Sequence, residues 1–268
     1  MTLRTVSYGG GVQSTALLVL AAQREIDFPT FLMANVGDDS EYPATLRYVR
    51  EIAMPYAKSH GIDMRLLDRT KRDGSVETLW GRMMADGSRA LPIPVRGDNG
   101  APMRRSCTVD FKVRVTGRWL RDNGATADDP ATVAIGISVD EIHRANASRV
   151  EPYERIVYPL LDLGMRRSDC EKVIADAGLP VPPKSSCFFC PFHRVETWRD
   201  LATDEPDLFD RACTLEDTLN ERREANGLEG RVWLTRFGIP LRDVTSDAQP
   251  RLPLNDLDGG CDSGWCMT

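Results

Sequence analysis

The sequence predicts an α/β protein built on a doubly wound parallel sheet, with a helical portion towards its C-terminal end. Three observations predict it. Short apolar runs that read as strands alternate with helix-like segments through the first third of the chain. A run of three glycines, Gly9-Gly10-Gly11, separates the first such strand from the first such helix. Hydrophobic residues make up 41% and charged residues 28% of 268 residues, which is globular composition in a chain long enough to bury a full core.

Taken in order, residues 3–8 read as a short buried strand and residues 13–24 as an apolar-rich helix. Residues 29–35 form a second apolar run that ends in the polar stretch Gly37-Asp38-Asp39-Ser40. Helical periodicity follows over 42–60, then a third strand over 63–67. Such alternation implies parallel strands joined by right-handed crossovers, with ligands at the carboxyl ends of the strands. Residues 86–105 are rich in Gly, Pro and Arg without periodicity, which predicts a surface loop acting as a lid. Residues 132–137 are another strand, followed by Ser138-Val139-Asp140-Glu141. Pro159-Leu160-Leu161-Asp162 leads into a helix over 168–177, stopped by Gly178 and a proline-rich stretch over 180–183. Residues 206–226 read as a helix with Pro206 in its first turn and Gly227 at its stop. Beyond Ala248 the tail is rich in Pro, Asp and Gly and ends with Cys261 and Cys266.

The net charge of −6 argues against an autonomous, broadly basic nucleic-acid binder but leaves room for a local basic groove. Residues 1–7 carry no apolar signal region and no apolar stretch reaches membrane-spanning length, so a cytoplasmic chain without a membrane partner is expected. Seven cysteines in that setting point to reduced thiols used for metal or chemistry.

Ser7-Tyr8-Gly9-Gly10-Gly11-Val12-Gln13-Ser14-Thr15 lies between strand and helix. Glycines let the backbone turn tightly and approach a ligand, and the free N–H groups of a helix N-terminus favour phosphate. Ser14 and Thr15 add hydroxyls. No Gly-Lys-Ser/Thr follows, so this is not a Walker A loop, and the glycines lack the Rossmann spacing. The competing reading is a strand-to-helix turn without function. Gly9-Gly10-Gly11-Val12-Gln13-Ser14 resembles the PP-loop of the adenine-nucleotide alpha-hydrolase-like superfamily, usually Ser-Gly-Gly-x-Asp-Ser. Gly9 stands where that motif leads with Ser. Gln13, in place of Asp, is similar to the adenylyl-sulfate (PAPS) reductase branch. The resemblance implies ATP, with Mg²⁺, bound by Ser7, Gly9, Gly10, Gly11, Gln13, Ser14, Thr15 and Asp38.

Cys187-Phe188-Phe189-Cys190-Pro191 is a CxxC after a proline-rich turn, a spacing that suits a redox dithiol, half a zinc site or half a cluster site. Arg105-Ser106-Cys107-Thr108-Val109-Asp110-Phe111-Lys112-Val113 resembles the first cluster segment of adenylyl-sulfate reductases. Residues 158–162, a helix, Gly178-Leu179-Pro180 and the CxxC resemble their second. That likeness runs from the glycine turn to about residue 199 and implies a 4Fe-4S cluster, with zinc as the rival metal. Thr108 takes the place of one reductase cysteine, so Cys107, Cys187 and Cys190 match and Cys170 is the candidate fourth ligand, the competing reading being a small buried hydrophobe. The Glu-Cys-Gly tail of sulfite-forming reductases is absent.

Gly136-Ile137-Ser138-Val139-Asp140-Glu141-Ile142-His143-Arg144, with Arg149 beyond, resembles the segment that offers arginines to substrate in these enzymes, and arginine forks suit phosphate or sulfate. Lys112, Asp140, Arg144 and Arg149 are the candidate catalytic residues. The expected domains are residues 1–200, a nucleotide-binding α/β unit that includes the cluster cysteines, and 201–268, a helical extension with a cysteine-containing tail. The expected activity is ATP pyrophosphatase chemistry that adenylates an acceptor for sulfur transfer. The expected partners are a nucleic-acid acceptor (tRNA, or DNA for phosphorothioation), a cysteine desulfurase and a second copy of the chain as a homodimer. The alternatives are reduction of adenylyl sulfate or PAPS to sulfite, and a non-catalytic nucleotide-binding subunit of a modification or defence complex.

Overall fold

A computed structural model describes residues 2–145 and 151–244. Its centre is a parallel sheet of five strands, β1 (Arg4–Ser7), β2 (Thr30–Asn35), β3 (Asp63–Asp68), β4 (Ala131–Ile135) and β5 (Glu154–Val157), in the order β3-β2-β1-β4-β5. The winding reverses between β1 and β4, which pair from Arg4 with Thr132 to Ser7 with Ile135. The doubly wound class predicted from the sequence is therefore the class observed. Every residue of β2 is buried, as expected of a central strand covered on both faces, whereas the edge strand β3 exposes Asp63, Arg65 and Asp68.

On one face, α1 (Val12–Ala22) packs against α7 (Arg167–Asp176), with Leu17, Leu18, Phe31, Cys170 and Ile174 in a common core cluster. The same cluster takes α2 (Pro43–Tyr48) and α3 (Met54–Ser59), which a π-helical turn over Val49–Ala53 joins into one rod. Pro55 explains the widened turn, because it has no N–H to donate and its ring crowds the carbonyl one turn back. On the other face α5 (Arg114–Asp122) lies over β2 and β3, burying Leu120 against Leu32, Ala131 and Val133.

A second large cluster gathers α4 (Leu79–Met84), α8 (Val195–Asp204) and α9 (Pro206–Ala225) around Trp198, and extends to Leu241 in α10 (Leu241–Val244). It joins side chains from both sides of residue 200, so the helical extension shares its core with the segment that carries the CxxC. The short α6 (Pro159–Asp162) completes the crossover from β5 to α7.

Residues 86–105 are a surface loop in part, exposed over 101–104 but anchored in the middle. Ile93 and Val95 are buried in the second cluster. Arg96 and Trp233 exchange backbone hydrogen bonds of 2.8 Å, and Trp233 Nε1 donates to Asp98 Oδ1 at 3.0 Å. The segment also pairs with itself, Met103 N donating to Val95 O at 2.8 Å and Gly100 N to Gly97 O at 2.8 Å, so it is ordered without being a regular element. Among the described residues no helix is long and apolar enough to cross a membrane.

Candidate functional site

β1 delivers its glycine turn to the point where the sheet reverses. Tyr8 still holds strand register through its N–H on the Leu32 carbonyl at 2.9 Å, and the chain turns at Gly10, whose φ is +78°. A Cβ at Gly10 would stand 2.9 Å from Thr45 Cγ2, so both the conformation and the neighbour demand glycine. Gly11 caps α1 with no side-chain hydrogen bond, and the first turn holds no acid. No heavy atom lies within 4 Å of the place a Gly11 Cβ would take. The space beside Gly11 at the start of α1 is therefore open, and an uncapped helix N-terminus attracts an anion.

Of the two hydroxyls that follow, Ser14 Oγ donates to the Gly11 carbonyl at 3.0 Å and stiffens the turn. Thr15 does not reach a ligand. It is fully buried, and its Oγ1 shares a hydrogen bond of 2.9 Å with the Tyr8 hydroxyl. Burial pushes the Tyr8 phenol far above its ordinary range, so this pair is neutral.

β4 closes the other side. A Cβ at Gly136 would stand 3.0 Å from Ser14 N and 3.1 Å from Gln13 C, so β4 presses backbone against backbone on the glycine turn. The 3₁₀ turn Val139–Arg144 then sends Glu141 inward. Glu141 accepts from Gln13 Nε2 at 3.3 Å and from the Arg144 guanidinium. Glu141 and Arg144 are both buried; burial raises the Glu141 carboxyl, and Arg144 offsets only part of that rise. Asp140, the acid expected here, instead accepts from Arg167 N at 2.6 Å and caps α7. Glu141 is thus the residue the sequence reading passed over, and its one signal was Arg144 three positions on. Arg149 lies outside the described residues.

Asp38 follows β2 at the same edge of the sheet but is already engaged. Arg50 grips both its oxygens at 2.8 and 2.7 Å, and Asn35 Nδ2 donates at 2.9 Å. Partial desolvation opposes ionisation, yet these donors hold the Asp38 carboxyl below its ordinary range. Its occupied oxygens make it a poor ligand for a magnesium ion. Lys112 lies in a π-helical turn, Val109–Val113, that runs into α5. The ring of Phe111 in that turn carries the guanidinium carbons of Arg69 and Arg82 at 5.3 and 4.6 Å. Glu77 pairs with both arginines, and Asp110 pairs with Arg82 at 3.2 Å and Arg114 at 2.6 Å.

The CxxC reaches the carboxyl edge of the sheet through the loop after β2. Glu41 and Cys187 form an antiparallel bridge, Tyr42 N donates to Ser186 O at 3.0 Å, and Phe188 N donates to Ser40 O at 3.2 Å. Ser185, two residues before Cys187, stands over the glycine turn, its Oγ 3.6 Å from where a Gly10 Cβ would be. Arg211 of α9 braces this arrangement between the rings of Trp80 and Phe188, at 4.6 and 4.8 Å, while donating to Asp39 O at 3.0 Å. Sequence reading gave no hint of Ser185 or Arg211.

Cys107 and Cys187 pack against the second core cluster, and Cys190 follows within the same turn, its N–H on the Cys187 carbonyl at 3.1 Å. Cys170 is placed elsewhere. It belongs to the first cluster, fully buried on the face of α7 that meets α1, and burial, with Asp169 beside it, pushes its thiol up to about 12. A thiol so desolvated is not a ready thiolate ligand. Among the described residues no group of three His, Cys, Asp or Glu side chains is arranged to hold a metal ion. The described donors do not fit a closed four-cysteine cluster; Cys261 and Cys266 lie outside the described residues.

No family model matches the chain, and no curated protein matches it in sequence. Among solved structures it is similar to phosphoadenylyl-sulfate (PAPS) reductase from Candida auris in a phosphate complex, at 13% identity and a TM-score of 0.43, over 68% of this chain and 76% of that one. It is also similar to the U34-tRNA thiolase NcsA from Methanococcus maripaludis with its 4Fe-4S cluster, at 12% identity and a TM-score of 0.44, over 84% of this chain and 69% of that one.

Proposed function

We propose that this chain is a PAPS-reductase-like enzyme of the PP-loop kind that binds ATP over the turn at residues 9–14 and transfers its adenylyl group to an acceptor, activating that acceptor for sulfur transfer. The observation that carries the reading is the uncapped N-terminus of α1, open above Gly11 and pressed from behind by Gly136. Backbone N–H groups there meet the β- and γ-phosphates and stabilise the charge that grows on the departing pyrophosphate. An acceptor oxygen attacks the α-phosphorus, the bond between it and the α–β bridging oxygen breaks, and pyrophosphate leaves. A sulfur nucleophile then attacks the acceptor's carbon, or in DNA its phosphorus, that bears the adenylated oxygen; the bond from that atom to the oxygen breaks, and AMP leaves carrying the oxygen. Gln13 and Arg144, both held by Glu141, are placed to fix the nucleotide's orientation. The acceptor class we favour is nucleic acid, with tRNA and DNA as its two forms and a cysteine desulfurase as the sulfur source.

The test is pyrophosphate release from ATP by purified protein supplied with tRNA or DNA. Release that depends on an acceptor, together with labelled AMP recovered on it, supports the reading. No pyrophosphate with any acceptor, or sulfite formed from adenylyl sulfate or PAPS, sinks it.

A further inference from the structure

Immediately after Cys190 the chain lines a small cavity of about 30 Å³, bounded by residues 191–195, Trp198, Arg96 and residues 235–237. Among the described residues the lining includes Arg96, Arg194, Arg236 and His193 and no acidic residue. The N-terminus of α8 opens on it, with Arg194 as its cap residue and no side-chain hydrogen bond there. Glu196, in the first turn of α8, is not part of the lining. Trp198 is fully buried, and its indole N–H has no hydrogen-bond partner. A buried donor left without an acceptor is costly, and an indole nitrogen can only donate. Among the described lining residues, the polar side chains other than the Thr235 hydroxyl and the His193 imidazole are donors only, and one Arg96 nitrogen already donates to Gly100 O at 2.9 Å.

We propose that this cavity is a binding site for the oxyanion of a phosphoryl group. Guanidinium forks, a helix N-terminus and a lone N–H are the donor set that suits phosphate. At roughly 10–15 Å³ for a water-sized occupant, the volume takes about two phosphoryl oxygens and not a whole nucleotide, so the group enters from a larger molecule or as the free ion. Phe192, with Arg96 and Arg105 each 5.9 Å from its ring, and the 40% exposed Phe237 flank the mouth. An exposed ring, Phe237, and a part-buried one, Phe192, beside arginines favour a single-stranded nucleic-acid backbone as the source. The site is separate from the glycine turn; its use in holding an acceptor beside Cys190 rests on the function proposed above.

Full-length protein is titrated with inorganic phosphate by calorimetry and with a labelled single-stranded oligonucleotide by anisotropy, alongside Arg194→Gln, Arg236→Gln and Trp198→Phe. Phosphate binds and competes with the oligonucleotide, each arginine variant weakens both by roughly tenfold, and Trp198→Phe weakens both several-fold. The same losses for phosphate without oligonucleotide binding uphold the cavity as a site for the free ion. Undiminished binding in all three variants, or no binding of either probe to the unaltered protein, overturns the proposal. ATP affinity measured in parallel keeps the two readings apart, because phosphate bound here without ATP bound at the turn sinks only the earlier one.

Discussion

Gly11→Ala separates a working nucleotide turn from a merely structural one. Gly11 has φ −103° and ψ −177°, an extended conformation that alanine adopts freely. Nothing lies within 4 Å of the new Cβ, so the folded protein has no reason to resist it. Replacing glycine also restricts the unfolded chain, a gain of about 0.4–1 kcal/mol that offsets most of the roughly 0.5–1 kcal/mol by which alanine is the poorer N-cap. The variant's stability without ligand should stay within about 0.5 kcal/mol of the unaltered protein. The new methyl, however, projects into the space assigned to the phosphates. A tenfold loss of affinity corresponds to about 1.4 kcal/mol. Thermal melting with and without a non-hydrolysable ATP analogue reads both quantities. Ligand at about 100 times its Kd stabilises the unaltered protein by about 2.7 kcal/mol, and a tenfold weaker variant keeps about half of that. Gly136→Ala serves as the contrast, because its Cβ meets the backbone at Ser14 and should lower both stability and affinity. If Gly11→Ala binds the analogue as tightly as the unaltered protein, the open space above α1 is not where nucleotide sits.

The turn that carries Lys112 should loosen in acid. Hydrogen bonds from Arg82, then Arg69, hold the Glu77 carboxyl at about 2, against its partial burial. The folded value lies below the unfolded one, so the stability it contributes is present above about pH 4.3 and is lost as pH falls towards 2. Glu77→Gln should cost about 2 kcal/mol at neutral pH and flatten the acid limb of stability against pH; an unchanged acid limb would refute the coupling. For the thiols, anaerobic purification with iron, sulfide and zinc analysis should give the same metal content for Cys170→Ala as for the unaltered protein. Metal lost in that variant, once folding is verified by circular dichroism, would return Cys170 to the ligand set.

The sequence made the sheet half of the molecule legible because its central strand is buried on both faces. Residues 31–34 are apolar throughout, and a glycine run at the first carboxyl end marks the edge where a ligand is expected. β5 escaped notice because it is a four-residue edge strand, Glu-Arg-Ile-Val, in which charge masks the pattern. Within α5 the chain reads Arg-Val-Thr-Gly-Arg-Trp-Leu-Arg-Asp, with Gly117 where a helix former would stand. That glycine has a tertiary cause, since a Cβ there would collide with the Tyr153 hydroxyl. The choice between Asp140 and Glu141 could not be made from sequence. In a 3₁₀ turn adjacent side chains point about 120° apart, and only the docking of the turn on the sheet decides which faces the glycines. Cys170 was more readable than it first looks, because Ile174, one helical turn on, marks the same face as core.

A shared location is what ties the two motifs together, and local pattern does not encode it. The glycine turn and the CxxC are some 175 residues apart in sequence, yet the bridge between Glu41 and Cys187 and the approach of Ser185 to Gly10 set them at one edge of one sheet. Each contact is irregular backbone pairing with irregular backbone, which carries no periodicity to detect. A chain that used its cysteines only to fill a core would have no need to bring them there, as Cys170 and Cys213 illustrate: both are buried, and burial pushes both thiols up to about 12. Cys107, Cys187 and Cys190 are instead part-exposed, and Cys190 directly precedes Pro191 in the lining of the donor-rich cavity. Three part-exposed thiols, an uncapped helix start and arginines around Phe192 make chemical sense together if a phosphate-bearing acceptor has to meet both ATP and sulfur in one place.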